Sequence, residues 1–192
     1  MSRLPAISVC NTMGMPKHNT LQPPSLLTPS LTPLPLASPV LEFEPEFVTG
    51  LKQIFEENIP FNQVLGLKIS SVLPDLVQGR LAMRHELIGH FSHKRVHGGV
   101  ISAALDSMGA LAVMAAIGAR HMAEPVPTRL LRFGKLGTID LRIDYLRPAI
   151  GDFFTLRAEV LRLGSRVAST RMAFFGADDK LLATGAAAYI VS

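Results

Sequence analysis

The sequence predicts an α+β domain in which one long apolar helix is wrapped by a single curved antiparallel sheet. Three observations carry this. The run from Gly99 to Ala119 is the most apolar in the chain. Short segments of alternating apolar and polar residues stand on both sides of it. The strands that follow it are joined by Gly164-Ser165 and by Ala177-Asp178-Asp179, connections short enough to demand antiparallel neighbours.

The chain has 192 residues, 48% hydrophobic and 18% charged, which suits one domain core plus some extra sequence. The extra lies first. Nine of the 14 prolines fall between Pro5 and Pro45, and proline removes backbone donors and forbids a steady helix. Residues 1–40 are therefore expected to form a disordered, polyproline-like tail, and residues 41–192 the folded domain. Cys10 stands alone, so neither an intrachain disulfide nor a cysteine-based zinc site is available. The stretch Leu4 to Cys10 is too short for a signal peptide, and a cytoplasmic setting is expected.

From Pro45 to Asn58, Phe47, Leu51, Ile54 and Phe55 recur at helical spacing, and Pro60 ends the helix. Strands are expected over Leu67 to Leu73 and Leu76 to Arg84, turning at Pro74-Asp75. A polar loop with three histidines, His85, His90 and His93, runs to Val96. The Gly99–Ala119 helix is long enough to cross a bilayer. It is built mainly from weakly hydrophobic Ala, Gly, Ser and Met and carries Asp106, so burial inside a domain explains it better. Further strands are expected over Thr138 to Arg147, Asp152 to Leu163, Arg166 to Phe175 and Lys180 to Val191. In the first of these, strict alternation puts Ile139, Leu141, Ile143 and Tyr145 on one face and Thr138, Asp140, Arg142 and Asp144 on the other.

The formal charge is +4, with no Trp and only two Tyr, and no stretch interleaves cations with aromatics. That argues against nucleic acid and for an anionic small ligand. Asp106 is the sharpest chemical signal. A carboxylate on an otherwise apolar helix is costly to bury unless it is paired with a donor or works on a substrate.

Val96-His97-Gly98-Gly99, an acid nine positions after the His, Tyr145-Leu146-Arg147-Pro148 and Arg162-Leu163-Gly164-Ser165-Arg166 occur in that order. Together they resemble the hotdog-fold acyl-CoA thioesterases, in the PaaI-like branch with its medium- and long-chain relatives. The resemblance spans about Phe61 to Val191 and implies hydrolysis of acyl-CoA to free acid and coenzyme A. It implies no metal and no cofactor beyond the coenzyme A of the substrate, and a homodimer assembling into a homotetramer without membrane or nucleic acid.

The resemblance also assigns roles. Asp106 would attack the thioester or activate a water; a structural acid bonded to a neighbour is the alternative. Gly98 and Gly99, at the helix start, would polarise the carbonyl with free N–H groups, or simply begin a tightly packed helix. Thr138 matches a hydroxyl residue that helps hold the attacking water in some relatives. Relatives often carry Asn or Gln six or seven residues before the His, where this chain has Phe91 and His90. His90 can present a ring N–H in place of that amide. His97, Arg147, Gly164, Ser165 and Arg166 match the region that grips the coenzyme, and Arg129, Arg132 and Lys135 are further cations near Thr138. Ala103, Ala104, Ala110 and Ala112, with Met108 and Met114, are expected to line a roomy acyl site. Along one helix, Gly99 and Asp106 stand about 10 Å apart, too far to serve one carbonyl, so a site shared between two subunits is expected. Three rival readings are a non-catalytic acyl-CoA sensor, a hydratase or dehydratase of acyl thioesters, and a purely structural scaffold, in which the Asp106 carboxylate would lack a reason.

Overall fold

The computed structural model describes residues 42–192; the proline-rich tail and Cys10 lie outside the described residues. Helix α1, Pro45–Lys52, starts on proline and buries Phe47 and Leu51. It does not stop there but widens into a π-helical segment, Gln53–Asn58, closed by the Ile59 N–H donating to Ile54 O at 3.2 Å. The wider turn keeps Phe55 buried in the core. Pro60 ends this segment as expected. It also opens a second short helix that the spacing did not reveal, α2, Pro60–Leu65, since a residue without an N–H suits the first helical position.

Strands β1, Leu67–Val72, and β2, Val77–Ala82, form a hairpin, and β2 buries Val77, Gly79 and Leu81 as its alternation predicts. The histidine loop is more ordered than expected. It holds two single 3-10 turns and a small antiparallel ribbon of β3, Ile88–His90, and β4, Arg95–Val96. Helix α3 then runs Gly98–Arg120. After it come a short helix, α4, Val126–Leu131, and a 3-10 turn, Arg132–Lys135. Strands β5, Gly137–Tyr145, β6, Phe153–Leu163, β7, Val167–Phe175, and β8, Leu181–Ile190, complete the domain. The sheet order is β1-β2-β6-β7-β8-β5, antiparallel throughout, which leaves β5 at an edge.

Helix α3 packs across one face of this sheet. Leu105, Met108, Leu111, Ala112 and Met114 are buried with Phe154, Leu156, Met172 and Phe174 from the strands. Burying such side chains is worth about 1.5–3 kcal/mol for each large one, which accounts for the apolar character of the helix. It also corrects the expected acyl lining. Ala104, Ala112, Met108 and Met114 belong to the core, and only Ala103 and Ala110 lie on the more open side of α3.

The alternation in β5 is corrected as well. Register slips between Thr138 and Asp140 opposite β8, so Ile139 is an extra, bulged residue and is 56% exposed. A bulge reverses the facing of everything before it. Thr138 thus shares the helix side with Leu141 and Ile143 instead of opposing them.

Two of the cations expected near the ligand are used internally. Arg129 is 1% exposed; it donates to Glu44 Oε1 at 2.7 Å and stacks 4.5 Å over the Phe47 ring. Arg132 holds Glu124 through contacts of 2.6 and 2.8 Å. The Arg129 hydrogen bond, above all, holds the Glu44 carboxyl below its ordinary value of 4.5. Because the folded value is the lower one, this pair contributes stability above pH 4.5 that is lost as pH falls through the folded value. The melting temperature of the native chain should therefore fall more steeply on acidification below about 4.5 than that of Glu44→Gln, which should start lower at neutral pH. Parallel acid melts of the two proteins would contradict this.

Candidate active site

Asp106 is partly buried, two turns into α3, where β5 and β8 meet the helix. Its Oδ1 accepts from Thr138 Oγ1 at 3.0 Å and from Tyr189 OH at 3.1 Å; the same phenol lies 2.9 Å from the Asp106 backbone carbonyl. Among the described residues Oδ2 has no hydrogen-bond partner. Burial first, then the Asp106 charge and the shared hydrogen bond, hold the Tyr189 phenol far above its ordinary range. Tyr189 is thus a permanent donor and cannot act as a base. One carboxylate oxygen is anchored, and Asp106 lines a cavity of about 190 Å³ whose walls also include Phe55, Ile59, Ala110, Phe133 and Leu136.

The phenol fits because residue 109 has no side chain. A Cβ at Gly109 would meet Tyr189 OH at 2.3 Å. Beside Asp106, Ser107 Oγ donates to Asn62 Oδ1 at 2.8 Å, and the buried Asn62 donates to Phe55 O at 2.9 Å. This chain ties the π-helical segment to α3 at the level of the acid.

The start of α3 is arranged differently from expectation. His97 is the N-cap, and its Nδ1 accepts from the Gly99 N–H at 2.9 Å. The Gly99 N–H is therefore spent on the cap, and only Nε2 of His97 is left for a ligand. The Gly98 N–H has no partner among the described residues, while Gly98 O accepts from Tyr145 OH at 2.9 Å. Gly98 is the free donor. It lines a cavity of about 390 Å³ with Arg95, Tyr145 and Arg147. Arg147 gives one nitrogen to Leu181 O at 2.8 Å, and neither arginine has a carboxylate partner among the described residues.

His90 stacks on His93 with ring centroids 4.9 Å apart, and its buried Nδ1 has no partner among the described residues. Phe91 beside it is 88% exposed. Among the described residues no three His, Cys, Asp or Glu side chains converge in a way that holds a metal. Gly164, Ser165 and Arg166 are not brought to this end of the helix. The turn is tied to the other end, where Arg120 donates to Leu163 O and Gly164 O at 2.5 and 3.3 Å. A helix of 23 residues spans roughly 34 Å, so one chain does not unite them with Gly98.

Sequence reasoning missed Tyr189, Asn62 and Arg95, and gave Tyr145, quoted as part of a motif, no role of its own. A signal existed for the tyrosines. The chain has only two, and Tyr189 continues the inward series Ala183, Gly185 and Ala187, a large polar-tipped residue where the rest of the strand is small.

The described residues thus hold two candidate groups, a hydrogen-bonded carboxylate in one cavity and a helix-terminal N–H without a partner in another. Residues 93–183 match the thioesterase superfamily. A medium/long-chain acyl-CoA thioesterase of Salmonella typhimurium, YigI, is 33% identical over 139 residues, covering 72% of this chain and 90% of that one. A crystal structure from Shewanella oneidensis, of a protein related to the thioesterase superfamily, superposes with a TM-score of 0.71 at 35% identity, covering 78% of this chain and 100% of that one. One from Syntrophus aciditrophicus gives 0.68 at 34%, covering 77% and 97%. The chain belongs to the thioesterase superfamily: its fold is the hotdog, and it is a thioester hydrolase.

With the family in place, Tyr189→Phe tests the anchoring of the acid. The substitution removes one donor to Asp106 and leaves the ring in its slot. We expect kcat to fall about tenfold, the weight of one hydrogen bond to a charged group, with KM little changed. A kcat within a factor of two of the native value would show that Thr138 alone suffices.

Proposed function

We propose that the protein hydrolyses medium- to long-chain acyl-CoA to free acid and coenzyme A, as a homodimer that pairs into a homotetramer. The observation that carries this is the Asp106 carboxylate, held by Thr138 and Tyr189 through one oxygen and lining a cavity walled largely by apolar side chains. The name of the YigI relative supports the substrate class.

In this reading the Gly98 N–H, with His90 as second donor, hydrogen-bonds the thioester carbonyl oxygen and holds the oxyanion that forms on attack. Asp106 either attacks the carbonyl carbon directly or takes a proton from a water that does, with Thr138 orienting that water. The tetrahedral centre collapses as the C–S bond breaks, and the coenzyme thiolate leaves and takes up a proton. Gly98 and Asp106 lie eight residues apart on one helix, about 12 Å along its axis, so the two groups come from different subunits. The partly open side of α3, with Ser102, Ala103 and Asp106, and the edge strand β5 with its exposed Ile139 and Tyr145 are the surfaces a second copy covers. Arg147 and Arg95 face the phosphates of the coenzyme, while Gly164, Ser165 and Arg166 reach them only from another copy.

The test is thiol release from an acyl-CoA series with the full chain. Binding without turnover would favour the sensor reading, and hydration of an enoyl-CoA without thiol release would favour the hydratase.

A further inference from the structure

The cavity at Asp106 measures about 190 Å³, below the roughly 300 Å³ at which ligand cavities usually begin. Beside it lies a larger groove of about 490 Å³, whose walls include Ile54, Pro127, Leu130 and Leu131. One side chain lines both: Phe133. Its ring stands edge-on to Phe55, with centroids 5.4 Å apart and planes at 73°. It is carried on the short 3-10 turn between α4 and β5, next to Gly134, where an added Cβ would meet nothing.

Resting on the acyl-CoA reading above, we infer that Phe133 is the partition of a two-chamber acyl site. Medium chains fill the inner chamber beside Asp106. Longer chains push the Phe133 ring aside and lay their terminal carbons in the outer groove. Charge supports this allocation. Among the described residues no charged side chain lines the outer groove, and Asp106 is the one charged residue lining the inner chamber. The cations Arg95 and Arg147 line the separate cavity at Gly98, which suits the anionic coenzyme. Leu131, on the groove wall, is 78% exposed, an apolar side chain without a cover that an alkyl tail would supply.

The experiment measures kcat/KM for C8 and C16 acyl-CoA with the native chain, Phe133→Ala and Leu131→Gln, reading the C16:C8 ratio. Opening the partition should raise the ratio about tenfold, in the range that a pocket gains per added methylene. Removing the apolar wall should lower it about tenfold. Leu131 is exposed, so its variant carries the test if loss of the Phe55 contact unfolds Phe133→Ala. Ratios equal to the native value in both folded variants overturn the two-chamber site while leaving the thioesterase reading intact. So does a Leu131→Gln protein that loses its oligomer by native mass spectrometry with an unchanged ratio, which would make the groove a subunit contact. A native chain that releases thiol from no acyl-CoA removes the underlying reading as well.

Discussion

Asp106→Asn is expected to lower kcat by about 10³-fold, the scale at which a positioned base or nucleophile contributes, while the melting temperature holds or rises. The amide keeps the shape of the acid, and its oxygen still accepts from Thr138 and Tyr189, the two bonds that orient the native side chain. What disappears is the capacity of the free oxygen to attack carbon or to take a proton from water. A kcat within tenfold of native, in a folded protein, would demote Asp106 to a structural acid. Single turnover in heavy-oxygen water bears on its two chemical roles. Label in the Asp106 carboxylate shows a mixed anhydride opened by water at the aspartyl carbon. Label in the product acid alone fits either a base or an anhydride opened at the acyl carbon, and mass spectrometry of an acid-quenched, acylated Asp106 peptide tells these two apart.

Gly98→Pro is expected to cost about 10²- to 10³-fold in kcat with little loss of stability. Proline deletes the one N–H at the start of α3 that has no partner among the described residues, and the first helical position tolerates it. The residue before it must be extended, and His97 already is, at φ −65° and ψ 135°. An added Cβ there comes no nearer than 3.4 Å to the Tyr145 ring, an ordinary contact. Full activity would place the oxyanion elsewhere. Mixing this variant with Asp106→Asn after dissociation and reassociation also tests the shared site. Each mixed dimer should recover about half of its sites, one intact Gly98 facing one intact Asp106. A mixture that stays inactive, with mixed dimers verified by native mass spectrometry, would place both groups in one subunit.

Much of the architecture was legible because it follows from periodicity. The apolar run became α3, the alternating segment at Val77 became β2, and the short connections became the β6-β7-β8 meander. The errors arose where local geometry breaks a period. One inserted residue, Ile139, reversed the facing of Thr138 and carried it to Asp106. Pro60 was read as an end and is also a beginning. The motif pointed to both Gly98 and Gly99 without separating them, because the capping of the Gly99 N–H by His97 depends on a side-chain rotamer that composition does not encode. The cations misled for a related reason. Arg129 and Arg147 look alike in sequence, yet one is buried against Glu44 and the other lines a cavity, a difference set by tertiary packing.

The slot that Gly109 leaves for the Tyr189 hydroxyl also constrains the order in which this chain can change. Alanine at 109 collides with the phenol oxygen at 2.3 Å, but once residue 189 is phenylalanine the nearest remaining ring carbon stands at 3.0 Å. A lineage that first loses the hydroxyl can then accept the methyl, which favours the helix by about 0.8–1 kcal/mol over glycine. After that step a return to tyrosine is sterically closed. Loss of the hydroxyl is itself sterically free, so what the slot entrenches is the loss: a return to tyrosine must wait for a return to glycine at 109.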